Sequence, residues 1–177
     1  VWRRIIFMLI FFCGPVWGEL VIKVTKGNDS PTKIAISPII NTTSTGLFDI
    51  GRLVENDLQR SGFFMTTPRE DMLSFPSMVK DVYFRDWRLL GSDYLVVGKM
   101  SSKGSDKIEI EFSLLSIASQ EVIFRHKVFG SNLQLRDLGH AISDKVYHAI
   151  TGIRGIFSTR VAYVTAVREA DGMTYRL

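Results

Sequence analysis

The chain has 177 residues, of which 46% are hydrophobic and 23% are charged. This length suits one domain, or one domain with a fragment of another, and the composition is that of a folded protein. A large multidomain machine and an intrinsically disordered chain are therefore excluded. The formal charge of +4 would favour nucleic acid or an anionic membrane surface as a partner, but it includes two arginines in an N-terminal segment of the kind that mature proteins lose.

Residues 1–18 have the pattern of a secretory signal peptide. The pair Arg3-Arg4 precedes an unbroken apolar run over residues 5–13, and a Gly-Pro pair follows it. We predict cleavage between Gly18 and Glu19, which removes two arginines and no acidic residue and so halves the formal charge. The apolar run is shorter than the roughly 20 residues that a membrane-spanning helix needs. The pattern therefore predicts a mature protein that is soluble outside the cytoplasm.

Two other interpretations of this segment remain open. Cys13 is the only cysteine of the sequence and could carry a lipid, although Phe12 stands where lipoproteins have a small residue. The segment could also be a core or amphipathic helix that the mature protein keeps. If the segment is removed, the mature chain has no thiol, no disulfide and no cysteine-based metal site.

The remaining chain predicts strands and helices that alternate loosely. Helical periodicity predicts helices over residues 49–61, 81–90 and 134–150, and Gly62 and Gly152 are placed to end the first and the last of them. Alternating or β-branched residues predict strands at 19–25, 33–37, 63–66, 93–100, 108–114, 122–128, 160–165 and 174–177.

These elements predict an α/β domain with a mixed β-sheet packed with helices over residues 19 to about 155. The strand at 93–100 is almost entirely apolar, which is typical of a central strand covered on both faces. The strands at 108–114 and 122–128 are joined by a connection short enough for a hairpin. The sequence of residues 156–177 instead predicts a linker followed by a single two-stranded hairpin. A hairpin of this kind is only marginally stable in water by itself.

The last predicted helix carries a group of side chains that could bind a metal. Asp137, His140, Asp144 and His148 follow one another at steps of three, four and four, which places all four on one helix face. A periplasmic metal-dependent enzyme is therefore the alternative hypothesis. The group lies opposite the apolar residues of the helix, so a solvated face with local His–Asp pairs is the simpler interpretation.

Other polar residues favour structural roles. His126 alternates onto the apolar face of its strand, where we expect a core or edge residue, and Glu109 and Glu111 are expected on a solvated strand face. The sequence contains no Gly-rich phosphate loop, no G-x-S-x-G turn and no H-E-x-x-H motif. We therefore predict no catalytic residue, no metal and no cofactor.

The segment that cleavage would free carries more functional information. It reads Glu19-Leu20-Val21-Ile22-Lys23-Val24-Thr25-Lys26-Gly27, with Leu20, Ile22 and Val24 on one face of an extended strand. A strand of this kind can add to the sheet edge of another protein, with backbone pairing giving affinity and the apolar face giving specificity. It could equally be an edge strand of its own domain.

The order of these features resembles the TolB family, the periplasmic component of the Tol-Pal envelope system of Gram-negative bacteria. The resemblance covers nearly the whole chain. It rests on the signal peptide and on sequence runs that follow it in the family's order: Glu19-Leu20-Val21-Ile22, Ile34-Ala35-Ile36-Ser37-Pro38, Asp49-Ile50-Gly51, Gly91-Ser92-Asp93-Tyr94-Leu95-Val96-Val97-Gly98, Gly139-His140-Ala141-Ile142-Ser143-Asp144-Lys145-Val146-Tyr147, Ile150-Thr151-Gly152-Ile153 and Gly155-Ile156-Phe157-Ser158-Thr159-Arg160-Val161-Ala162-Tyr163-Val164.

The resemblance implies an N-terminal domain whose sheet is similar to anticodon-binding domains, followed by the first strands of a six-bladed β-propeller that is otherwise absent. It implies a non-enzymatic role in outer-membrane integrity and constriction at division, a system that colicins exploit for entry. The freed segment Glu19 to Gly27 would bind the C-terminal domain of TolA, and the missing propeller would bind the lipoprotein Pal. Nucleic-acid binding is not expected, because the mature charge is small and the protein is exported.

Overall fold

The computed structural model describes residues 30–40, 48–104, 106–159, 164–169 and 172–176. The predicted signal peptide and the predicted partner-binding segment Glu19 to Gly27 lie outside the described residues. Strands β1 (Thr32–Ile36), β2 (Phe64–Thr66), β3 (Tyr94–Ser102), β4 (Lys107–Ser116) and β5 (Glu121–Ser131) alternate with helices α1 (Ile50–Arg60), α2 (Phe84–Leu89) and α3 (Leu135–Thr151). Strands β6 (Thr165–Glu169) and β7 (Gly172–Arg176) follow.

The first five strands form one mixed sheet in the order β2-β1-β3-β4-β5. Strand β1 lies parallel to β2 and to β3, whereas β3, β4 and β5 are antiparallel neighbours. The α/β fold with a mixed sheet is therefore confirmed. Strand β3 occupies the middle of the sheet, and its residues 95–98 are buried, as its apolar sequence predicted.

Helix α1 begins and ends where its sequence predicts. The carboxylate of Asp49 accepts a hydrogen bond from the backbone N–H of Arg52 at 3.4 Å and so caps the helix N-terminus. Ile50, Val54 and Leu58 are buried at helical spacing. After the helix, Gly62 has a φ of +74°, a conformation that glycine adopts without steric cost.

Helix α3 packs beside α1 on the same face of the sheet. Its buried residues Leu138, Ile142 and Val146 join the α1 residues and the inward side chains of the strands in one hydrophobic cluster. Gly152, with a φ of +72°, forms the helix C-cap and donates its N–H to the carbonyl of His148. The predicted helix 134–150 is therefore confirmed to within one residue at each end.

The opposite face of the sheet is covered by the loop that connects β2 to β3. Trp87 of the short helix α2 and Met72 form a second hydrophobic cluster with the sheet residues Ala35, Leu95, Val97 and Leu115 and with Ile117, which directly follows β4. Helix α2 is shorter than the predicted helix 81–90, because Val79–Asp81 forms a separate 3₁₀ turn.

Strands β6 and β7 pair antiparallel, with Thr165 opposite Arg176. The first strand was expected at residues 160–165, but residues 160–163 lie outside the described part and β6 begins only at Thr165. The second strand begins at Gly172 rather than at the predicted Thr174.

Candidate functional site

Asp137, His140, Asp144 and His148 share one face of α3, as the sequence predicted, but the structure gives them different partners. Asp137 and His148 are exposed, whereas His140 and Asp144 are half-buried against other parts of the molecule. The expectation of a solvated face with local His–Asp pairs is therefore wrong for the two middle residues.

His140 binds a carboxylate of the other long helix. Its Nδ1 lies 2.7 Å from Oδ2 of Asp57, a residue of α1 that is 4% exposed. The hydroxyl of Ser143, one turn further along α3, donates to the same oxygen at 2.8 Å. This Asp57 cluster, formed by Asp57, His140 and Ser143, therefore ties α1 to α3 by a buried polar contact.

Asp144 organises the chain that follows α3. Its Oδ1 accepts the backbone N–H of Phe157 at 2.8 Å, and its Oδ2 accepts the backbone N–H and the hydroxyl of Ser158 at 3.2 and 2.5 Å. These bonds hold Phe157 where its ring meets Tyr147 edge-on, with the ring centroids 5.7 Å apart. The carboxylate is thus occupied in fixing a turn.

The four residues do not form a metal centre in the structure. Within the described part of the chain, no group of three or more His, Cys, Asp or Glu side chains is arranged to hold a metal ion. His140 and Asp144 point their polar atoms at different partners, so the geometric premise of the metal-dependent enzyme is not met. This corrects the alternative hypothesis drawn from the spacing of Asp137, His140, Asp144 and His148.

A second polar cluster lies on β4, where the sequence predicted only solvated acids. Glu109 is 7% exposed, and its carboxylate binds the ammonium groups of Lys103 and Lys127, the latter at 2.7 Å. Hydrogen bonds from Lys103 and then Lys127 hold the pKa of Glu109 below its usual range. The hydrogen bond to Glu109 in turn raises the pKa of Lys127. The expected solvated position is therefore wrong for Glu109.

His126 lies on β5, which forms one edge of the five-stranded sheet. The residue is exposed, and its ring meets the ring of Phe112 edge-on at a centroid distance of 6.0 Å. Of the two expected positions, core or edge, the structure shows the edge.

The segment expected to bind a partner, Glu19 to Gly27, lies outside the described residues and precedes strand β1 in the sequence. Strand β1 starts at Thr32 and has β2 on one side and β3 on the other. Both hydrogen-bonding edges of β1 are thus occupied by strands of the same domain.

Among the described helices, none is both long enough and apolar enough to cross a membrane.

The fold and these clusters define a mixed α/β domain whose buried carboxylates hold its own elements together. A family model of the TolB amino-terminal domain matches residues 20–123. The chain belongs to this family.

Sequence relatives and a solved structure agree with this assignment. The Tol-Pal system protein TolB of Hahella chejuensis is 39% identical over 99% of this chain and 41% of its own length. The TolB of a Marinomonas species is 41% identical over 98% of this chain and 40% of its own length. The crystal structure of TolB from Acinetobacter baumannii matches 86% of this chain and 39% of its own with a TM-score of 0.67 and 27% identity. The chain thus spans about two fifths of the length of these relatives.

Proposed function

We propose that this chain is the amino-terminal part of a periplasmic interaction protein of the Tol-Pal system. In this proposal residues 1–18 are removed, residues 19–155 form the domain, and residues 156–177 lead into a propeller. The segment Glu19 to Gly27 binds the C-terminal domain of TolA by adding a strand to its sheet. Contact with Pal belongs to the propeller, and the two contacts together link the inner and outer membranes.

One observation carries this proposal furthest: the family match begins at residue 20, directly after the predicted cleavage site between Gly18 and Glu19. Signal cleavage would then leave the alternating residues Leu20, Ile22 and Val24 close to a free N-terminus. The occupied edges of β1 also support it, since a segment entering there has no open position beside that strand. A segment that does not pair beside β1 can instead add a strand to a partner's sheet edge.

Point variants at neighbouring positions test the orientation of this strand. In a calorimetric titration with the TolA C-terminal domain, Ile22→Asp should weaken binding by about tenfold or more, because a charge would enter the apolar contact. The matched variant Val21→Asp places the same charge on the opposite strand face and should weaken binding much less. Equal losses for both variants would contradict the alternating contact, and no loss for either would remove the segment from the interface.

A further inference from the structure

A small cavity lies on the sheet face opposite α1 and α3, where the loop containing Val79–Asp81 meets strands β3, β4 and β5. Its volume is about 250 Å³, and Met78, Val79, Val97 and Ser113 line it. Pockets for drug-sized ligands are larger, roughly 300–1,000 Å³. The cavity is therefore suited to one large side chain rather than to a whole cofactor.

Three cations and one carboxylate surround this cavity. Lys80, Lys99 and Arg125 line it together with Glu111. Arg125 lies 3.8 Å from one oxygen of Glu111, and the other oxygen of Glu111 lies 3.6 Å from Lys127. Within the described residues, Lys80 and Lys99 have no ion-pair partner. The rim therefore has an excess of positive charge.

The neighbouring acid Glu109 does not neutralise this excess. Its carboxylate is occupied by Lys103 and Lys127, and it is 7% exposed. Lys80, Lys99 and Arg125 are by contrast exposed, so their charged ends can reach an anion that approaches from solvent.

We propose that this cavity binds an acidic segment of a partner protein. One apolar side chain of that segment enters the cavity, and flanking carboxylates pair with Lys80, Lys99 and Arg125. None of the residues that line the cavity belongs to Glu19 to Gly27, so this inference goes beyond the proposed function and stands independently of it. It gives the folded domain a protein contact of its own.

The charge and shape favour a peptide over the other anionic partners. Tight binding to nucleic acid usually uses several phosphate contacts, and three cations beside a carboxylate offer few. Binding to a lipid surface uses an apolar face that inserts into the bilayer, whereas the apolar residues here line a concavity. The cavity reaches Arg125 on β5, which among the described strands of the sheet has a neighbour on one side only.

Fluorescence anisotropy with labelled peptides tests the proposal on the full chain. The probe is Asp-Glu-Leu-Glu-Asp, and its controls are Asn-Gln-Leu-Gln-Asn and Asp-Glu-Ser-Glu-Asp. We expect the acidic peptide with the apolar residue to bind most tightly. Lys99→Gln and Lys80→Gln should each weaken the binding of this peptide by about fivefold, as expected for the loss of a partly exposed ion pair. Lys145→Gln, an exposed lysine of α3, should leave it unchanged.

A second variant tests the cavity without changing its charge. Ser77 lines the cavity and is exposed. Ser77→Phe should therefore fill the cavity and weaken peptide binding, while the thermal unfolding temperature stays the same. Equal binding of the neutral peptide, no effect of Lys99→Gln, or no peptide binding at all would overturn the proposal. Binding of phosphatidylglycerol vesicles or oligothymidylate that Lys99→Gln abolishes, without peptide binding, would overturn it in favour of that partner.

Discussion

At the scale of single residues, Asp57 is a buried carboxylate whose partners come from a different helix. His140 and Ser143 both bind its Oδ2, and the side chains are 83 and 86 positions away in sequence. Helical spacing cannot reveal such a contact, because it depends on how α1 and α3 pack. For the same reason the sequence suggested a metal site where the structure has a helix-to-helix contact.

The Asp57 cluster makes a stability prediction. Asp57→Ala should lower the free energy of unfolding by about 1–3 kcal/mol, because it leaves the hydroxyl of Ser143 and Nδ1 of His140 without their shared acceptor. Urea unfolding followed by circular dichroism measures this change. Asp137→Ala, an exposed acid of the same α3 face, should stay within about 0.5 kcal/mol of the parent. Similar losses for both variants would contradict the role given to the cluster.

Glu109 makes a prediction about pH. Its pKa is lowered from the ordinary value of 4.5 by Lys103 and Lys127, so its contribution to stability is present above about pH 4.5 and is lost as the pH falls through the lowered value. The pKa of Lys127 is raised from 10.5, so its contribution is present below that pH and is lost as the pH rises through the raised value.

The difference in stability between the parent and the Glu109→Gln variant should depend on pH in the same way. The parent should be the more stable protein between about pH 4.5 and 10.5, and the difference should shrink on the acid side. Thermal unfolding across a pH series measures it. A difference that stays constant down to pH 2 would show that the glutamine acts through something other than lost ionisation.

At the scale of elements, the bounds of the two long helices were predicted more closely than those of the short helix, which was expected over 81–90 and spans Phe84–Leu89. Local signals define α1 and α3: apolar residues at helical spacing, the Asp49 cap, and Gly62 and Gly152 in the left-handed conformation. Helix α2 depends on the tertiary packing of Trp87 against the sheet, so its sequence pattern defines its bounds less well. The buried position of Glu109 likewise depends on lysines from a loop and a neighbouring strand.

The start of α1 provides a test of close packing. Gly51 is buried, and a Cβ at this position would lie 2.6 Å from the backbone carbonyl oxygen of Ser37. Gly51→Ala should therefore destabilise the domain by about 1–3 kcal/mol, although alanine is normally the better helix former by about 1 kcal/mol. Chemical denaturation measures the change in the free energy of unfolding and shows whether the variant is less or more stable than the parent.

Gly139→Ala is the matched control for this variant. The added Cβ would meet the end of the Leu53 side chain at 2.4 Å, and Leu53 is only half-buried and can rotate away. The loss should therefore be smaller than for Gly51→Ala. A stabilising Gly51→Ala variant would contradict the close packing of α1 against the backbone of Ser37.

At the scale of the whole molecule, the fold class and the family could be identified from the sequence, because the order of strands, helices and sequence runs extends over most of the chain. The model match over residues 20–123 and the TolB relatives confirm that recognition. The proposed partner segment lies outside the described residues, so its role has to be tested by binding rather than by packing.

The most direct measurement of the central proposal is a calorimetric titration of the TolA C-terminal domain into two forms of the protein. One form starts at Glu19, and the other starts at Ser30, two residues before β1, and so keeps the described domain. We predict binding by the form that starts at Glu19 and none by the form that starts at Ser30. Equal binding by both forms would place the contact in the folded domain, and binding by neither would contradict the proposed TolA interaction.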